Sequence, residues 1–90
     1  MPLFMIEREY AEKLEVSAEE ADRINLINDS EGIRWLYSFL SVDLRKTYCL
    51  YDAPTAEAII RAAKRADVPA DAVVEINARV LPNGTLAAAV

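Results

Sequence analysis

Two strand-like segments joined by a short turn occupy the middle of the chain, which reads IRWLYSFLSVDLRKTYCLYDA from residue 33 to residue 53. Both segments, residues 33–42 and residues 45–53, are rich in the β-branched and aromatic side chains that favour strands. Asp43 lies between them, where a tight reversal of the chain is expected. The stretch therefore predicts a β-hairpin at the centre of the fold.

A helix is predicted before this hairpin. SAEE at residues 17–20 matches a capping box, in which the serine oxygen and the glutamate satisfy free backbone amides, so we expect the helix to begin at Ser17. Glu19 and Arg23 are spaced to pair on its outer face, and Gly32 supplies the left-handed residue that ends it. The inward-facing positions share helical spacing: Ala21, Ile24 and Ile27 or Asn28.

A second helix is predicted after the hairpin. Thr55 is suited to cap it, and Pro69 prevents its continuation because proline has no amide hydrogen. Its inward positions carry mostly small side chains: Ile59, Ala62, Ala63 and Ala66. Small side chains allow the helix to lie close to a sheet.

Outer strands at residues 3–10 and 72–81 complete the order βαββαβ. Two right-handed crossovers place both helices on one face of a four-stranded antiparallel sheet, which is the α+β ferredoxin-like arrangement. Ninety residues suit a single domain. We expect residues 1–82 to form it and residues 83–90 to form a C-terminal tail, which frays or adds a short edge pairing.

Large apolar side chains are predicted on both faces of the central hairpin. Regular alternation in the first strand puts Ile33, Trp35, Tyr37 and Phe39 on one side, and Leu36 and Leu40 on the other. In the second strand Tyr48 and Leu50 oppose Cys49 and Tyr51. The helices cover one face only, and burying an exposed aromatic or leucine contributes ~1.5–3 kcal/mol. We therefore expect a homodimer packed sheet to sheet, a dimeric α/β barrel; the alternative is a monomer with an exposed patch or ligand groove.

The composition excludes several classes of partner. The net charge is −5, and Lys and Arg are scattered among 15 acidic residues, so we expect neither nucleic acid nor an anionic membrane as a partner. No apolar run approaches the ~18 residues of a membrane span. A single cysteine excludes an internal disulfide, and no basic-then-apolar leader opens the chain, so we expect a cytoplasmic protein.

Most motifs that carry chemistry are missing from the sequence. The only glycines are Gly32 and Gly84, so no phosphate-binding loop can form, and no histidine is available as a base or metal ligand. We therefore predict no cofactor, assign no metal-ligating residues and identify no complete catalytic set.

A polar residue of the first strand, Glu7, is a candidate site residue because it follows Leu3 and Met5 on one strand face. If that face lines a dimer interior, Glu7 is a partly buried carboxylate able to act as a base or to anchor a ligand. The alternative is a rim residue that pairs with Arg8, Lys46 or Arg79.

Three residues of the central hairpin are further candidates to line a ligand site: Trp35, Ser38 and Cys49. A thiol can act as a nucleophile, but a lone strand cysteine is more often a small buried filler. Trp35 has the alternative role of packing in the core or in an interface.

Several short motifs resemble those of a known family. They are IER at residues 6–8, WLYSF at residues 35–39, KTYCLYDAPT at residues 46–55 and VP at residues 68–69. Over residues 3–81 the chain resembles a family of small bacterial proteins classed as a domain of unknown function, with members labelled nickel-binding protein. The resemblance implies a ferredoxin-like protomer of a dimeric α/β barrel and a cytoplasmic role in binding a metal or a small molecule. Nickel favours imidazole among nitrogen ligands, so we carry over the fold and not the metal.

Three functional hypotheses follow. The first is a non-enzymatic homodimer that binds a small molecule or metal ion in or near the barrel interior, lined by Glu7, Trp35, Ser38 and Cys49. The second, by analogy with other dimeric α/β barrels, is a cofactor-free monooxygenase or isomerase that uses Glu7 as general base. The third is a structural or regulatory dimer without a ligand.

Overall fold

Six strands and two helices follow one another in the computed structural model, which describes residues 2–90. They are β1 (Leu3–Glu9), α1 (Ala18–Ser30), β2 (Arg34–Leu40), β3 (Lys46–Asp52), α2 (Ala56–Ala66), β4 (Ala72–Ile76), β5 (Ala78–Val80) and β6 (Leu86–Ala88). The first four strands form one antiparallel sheet in the order β2-β3-β1-β4, and β5 pairs with β6 alone. This order confirms the predicted α+β ferredoxin-like fold.

The hydrophobic core lies between one face of the sheet and the two helices. Alternate residues of β1, Phe4 and Ile6, are buried there, as the period of two for a strand requires. Across the core, α2 contributes Ile59 and four buried alanines, and Ile27 of α1 packs against the core cluster. Both helices therefore cover the same face of the sheet.

The predicted start of α1 is confirmed, although only half of the capping box forms. Ser17 Oγ accepts a hydrogen bond from the Glu20 amide at 3.2 Å. The Glu20 carboxylate does not return to the serine; it pairs with Arg23 one turn along the helix. The predicted pairing of Arg23 with Glu19 is therefore wrong. Arg23 also donates to the Ala66 carbonyl at 2.8 Å, which fixes its side chain between the helices.

The signals that start α2 and end α1 are also confirmed. Thr55 Oγ1 accepts from the Ala58 amide at 3.1 Å. Gly32 has a φ of 72°, the left-handed conformation expected after α1. Asp67 takes the corresponding left-handed position after α2, with a φ of 57°.

The fourth strand is shorter than predicted. We expected it to cover residues 72–81, but β4 ends at Ile76, opposite Leu3, the first residue of β1. Within residues 2–90 no pair with β1 follows this one, and β5 pairs with β6 instead. The turn between them is closed by the Leu81 amide, which donates to the Thr85 carbonyl at 2.9 Å.

A β-bulge interrupts the alternation predicted for β2. Trp35 pairs with Tyr51, and the next pair joins Tyr37 to Leu50, so Leu36 is an extra residue in β2. The prediction that Trp35 and Tyr37 share a face is therefore wrong. Trp35 lies on the helix side of the sheet, whereas Tyr37 points to the opposite side.

The side of the sheet that faces away from the helices is called the open face below. Its exposed large residues are Tyr37, Phe39, Tyr48 and Val74. Phe39 is 60% exposed and lies edge to face with Tyr37, with ring centroids 5.6 Å apart. Large apolar side chains thus occur on both faces of the central hairpin.

Neither of the two helices described in residues 2–90 has the length and apolar character of a membrane span.

Candidate ligand-binding cavity

A cavity of about 340 Å³ lies between the helix side of the sheet and α1. Its floor is formed by sheet residues that include Arg8, Trp35, Ser38, Leu40, Cys49 and Tyr51. Its walls come from the connection that precedes α1, from α1 itself and from the end of α2, and include Leu14, Val16, Ala21, Ile24 and Val68. Most of this lining is apolar, so the cavity suits an organic molecule.

The connection before α1 is held over the cavity by backbone hydrogen bonds. The Leu14 amide donates to the Leu44 carbonyl at 2.7 Å, and the Tyr10 amide donates to the Arg45 carbonyl at 2.8 Å. Both acceptors lie in the turn between β2 and β3. This turn therefore supports the wall opposite the sheet.

The bulge in β2 brings two of the predicted site residues together. In a regular strand, residues three apart point to opposite faces. The extra residue, Leu36, places Trp35 and Ser38 on the same face, and Trp35 Nε1 donates to Ser38 Oγ at 2.9 Å. Trp35 also lies parallel to Tyr51, with ring centroids 6.4 Å apart. These contacts fix the indole plane within the cavity floor.

Cys49 is placed at the boundary between the cavity and the core. It is 4% exposed, lines the cavity and belongs to the buried core cluster. Its thiol donates to Thr47 Oγ1 at 3.5 Å. The structure thus brings Cys49 together with Trp35 and Ser38, in a position that also satisfies the alternative role of a small buried filler.

Arg8 also lines the cavity, although the sequence indicated it only as a possible partner of Glu7. It is 5% exposed and donates to the Pro69 carbonyl and, at 3.5 Å, to Tyr51 Oη. Its guanidinium carbon lies 5.7 Å from the centroid of the Tyr51 ring. The period of the strand carried the signal, because position 8 follows Phe4 and Ile6 on the buried face.

Burial affects the second polar group of the floor, the Tyr51 phenol. Desolvation raises the pKa of Tyr51, and the positive charge of Arg8 opposes this shift more weakly. The phenol is therefore protonated at neutral pH. It accepts a hydrogen bond from Arg8 without carrying a negative charge.

Glu7 is not brought together with the other three candidates. It lies on the open face, where its carboxylate is 2.5 Å from Lys46 Nζ and its side chain is 38% exposed. The contact with Glu7 raises the pKa of Lys46. This placement matches the alternative interpretation of Glu7, in which it forms an ion pair with a basic residue such as Lys46.

Taken together, these features define an α+β ferredoxin-like protein with a cavity between its sheet and first helix. The chain belongs to the family described as "Nickel responsive protein SCO4226-like", whose sequence profile matches residues 4–76. The resemblance stated from the short motifs is thereby confirmed. The match ends at Ile76, so the hairpin formed by β5 and β6 lies outside it.

A solved structure supports the fold. The crystal structure of SCO4226 from Streptomyces coelicolor A3(2) superposes with a TM-score of 0.66 and 20% sequence identity, and the alignment covers 86% of this chain and 98% of that one. At this identity the similarity establishes the fold alone. No curated protein matches the chain.

Nickel does not fit the donor groups of this chain. The sequence has no histidine, and residues 2–90 contain no group of three Cys, Asp or Glu side chains that could hold a metal ion. The one cysteine is bonded to Thr47, and Glu7 is paired with Lys46 on the other side of the sheet. We therefore derive no chemistry through a bound metal.

Proposed function

We propose that the protein is a cytoplasmic homodimer that binds a small organic molecule in the cavity beneath α1. The observation that carries this proposal is the cavity itself, whose volume of about 340 Å³ lies within the range of small-molecule sites. Its apolar walls provide binding energy, and a few polar groups at its floor, chiefly Arg8 and Ser38, provide orientation.

An organic ligand is favoured over a metal ion by the lining. Metal ions need several carboxylate, thiolate or imidazole ligands around one point. The cavity instead presents an indole, a phenol and a guanidinium among aliphatic side chains. The word nickel in the family description applies to relatives of this chain. The side chains that line the cavity of this chain favour an organic ligand instead.

The open face supports the homodimer. Exposed aromatic side chains such as Phe39 and Tyr48 form an apolar surface on the sheet, and such surfaces commonly mark interfaces. Two copies that pack through this face would form a dimeric α/β barrel. The cavity lies on the other side of each sheet, so the ligand site is near the barrel interior and not inside it.

Catalysis by Glu7 has no support from the geometry. Glu7 lies outside the cavity and in contact with Lys46, so it cannot reach a molecule bound beside Trp35. For this reason we propose a binding protein and not an enzyme.

The only tryptophan of the chain, Trp35, provides a direct test, because its emission reports on this cavity alone. We would titrate the full chain with benzoate, benzamide, benzyl alcohol and cyclohexanecarboxylate. At least one probe is expected to change the emission saturably and to raise the melting temperature.

A cavity-filling variant identifies the site of binding. Ala21→Phe should fill the space beneath α1 and abolish the response, whereas Ala18→Phe, on an exposed position of the same helix, should retain it. Circular dichroism would verify that both variants are folded. If no probe binds, or if binding persists in Ala21→Phe, the proposal is wrong.

A further inference from the structure

Arg8 is a buried cation whose partners are all neutral. Its acceptors are the Pro69 carbonyl and the Tyr51 hydroxyl, and its other N–H groups have no acceptor within residues 2–90. No carboxylate in this part of the chain lies within 4.0 Å of it. A charge removed from water is costly unless an opposite charge and further hydrogen bonds accompany it. The cavity floor therefore lacks a negative charge to neutralise Arg8.

None of the neighbouring acidic groups supplies this charge. Among the residues that line the cavity, the carboxylates belong to Glu15 and Glu20. Glu20 is paired with Arg23, and Glu15 is exposed to solvent. The Tyr51 phenol is protonated, and the Cys49 thiol serves as a donor to Thr47.

We propose that the ligand of this cavity is a small organic monocarboxylate, with its carboxylate on Arg8 and its apolar body against Trp35 and the aliphatic walls. This inference rests on the proposed function and specifies the class of ligand. A guanidinium presents paired donors that match the two oxygens of a carboxylate. The indole of Trp35 and the side chains of Leu14 and Ile24 suit an aromatic or branched hydrocarbon body.

Charge balance favours a single carboxylate over a phosphate ester or a dicarboxylate. Arg8 is the only cation among the residues that line the cavity. A second negative charge would lie unpaired among apolar walls, with Glu15 and Glu20 adding repulsion. A monoanion neutralises Arg8 and leaves no excess charge.

The test compares two probes of nearly equal shape. Benzoate carries the carboxylate, and benzamide replaces it with a neutral amide. With the unmodified protein at neutral pH, Trp35 emission and calorimetry should show that benzoate binds roughly ten- to a hundredfold more tightly, as expected for hydrogen bonds to a charged group. Benzyl phosphate should bind less tightly than benzoate.

Variants then assign the preference to Arg8. Arg8→Met keeps an unbranched, flexible side chain and removes its charge, so it should abolish the advantage of benzoate over benzamide. Arg8→Lys should restore part of it, because the charge returns without the paired donors. Arg34→Met, which removes an exposed arginine paired with Asp52 outside the cavity, should leave both affinities unchanged.

The outcomes separate this inference from the proposed function. If benzamide binds in the cavity as tightly as benzoate, the monocarboxylate inference is wrong and the binding function stands. If none of the four probes changes Trp35 emission, both are wrong; if benzyl alcohol binds but neither carboxylate does, only the monocarboxylate inference is wrong. The comparison of probes on the unmodified protein decides the matter even if Arg8→Met does not fold.

Discussion

Gly32 takes a left-handed backbone conformation directly after α1, with a φ of 72°. A Cβ added there would meet no atom within 4 Å, so the effect of a substitution comes from the backbone alone. We expect Gly32→Ala to lower the free energy of unfolding by roughly 1–2 kcal/mol. Urea denaturation followed by circular dichroism would measure it. Gly32→Asn should lose less, because asparagine tolerates this conformation, and equal losses for the two variants would refute the backbone explanation.

Residues whose role depends on near neighbours could be predicted from the sequence. Ser17 and Thr55 cap their helices through amides three positions along the chain, so local chemistry defines them. Arg8 depends on Pro69 and Tyr51, which are 61 and 43 positions away. Its alternation with Ile6 predicts the face on which it lies, but no local pattern predicts which groups surround it there.

At the scale of elements, an acidic residue joins the end of α1 to α2. The Glu31 carboxylate accepts from Arg61 Nε at 3.2 Å and from Arg65 Nη1 at 3.1 Å. Hydrogen bonds from Arg61 and Arg65 lower the pKa of Glu31 below its ordinary value of 4.5. A carboxylate whose pKa is lower in the folded chain than in the unfolded chain stabilises the fold at pH values above its unfolded-state pKa. This stabilisation is lost as the pH falls through its folded-state pKa.

We therefore expect the melting temperature to fall as the solution is acidified below about pH 4.5, and Glu31→Gln to remove part of that dependence. Thermal unfolding between pH 7 and pH 3 would measure both effects. Glu12→Gln is the matched control, since Glu12 is exposed and forms no ion pair within residues 2–90. If the melting temperature falls with pH to the same extent in the unmodified protein and in Glu31→Gln, this account is contradicted.

The element order could be predicted from the sequence, but two details of strand pairing could not. The alternation of residues 72–81 is continuous, and only the position of Leu3 at the end of β1 determines that β4 stops at Ile76. The β2 bulge likewise arises from its pairing with β3. Three of the four candidate site residues lie together because of that bulge, whereas Glu7 lies across the sheet.

For the whole molecule, the exposed open face leads to a prediction about assembly. We expect the chain to sediment at micromolar concentration with twice its mass of 10.0 kDa. Phe39→Asp should weaken the dimer at least ~tenfold, because it replaces apolar burial in the proposed interface with a charge. Sedimentation velocity over a range of protein concentrations would measure the change.

A second exposed apolar residue provides the control for this experiment. Leu26 is 72% exposed on α1, away from the open face, so Leu26→Asp introduces the same charge elsewhere. Its dissociation constant should equal that of the unmodified protein. A well-behaved monomer of the unmodified chain at micromolar concentration would exclude the proposed dimer.

The extra residue in β2 also has a consequence for how such a protein can diverge. Upstream of Leu36 the strand contributes to the cavity through Trp35, and downstream of it the aromatic pair Tyr37 and Phe39 contributes to the open face. A one-codon deletion of Leu36 would remove the bulge and leave Trp35 on the cavity side, because Trp35 and Tyr37 already pair with consecutive residues of β3. A regular ladder that keeps Leu36 would instead turn the indole to the open face, so the way a homologue pairs this strand decides whether it keeps a ligand pocket or only a surface for self-association.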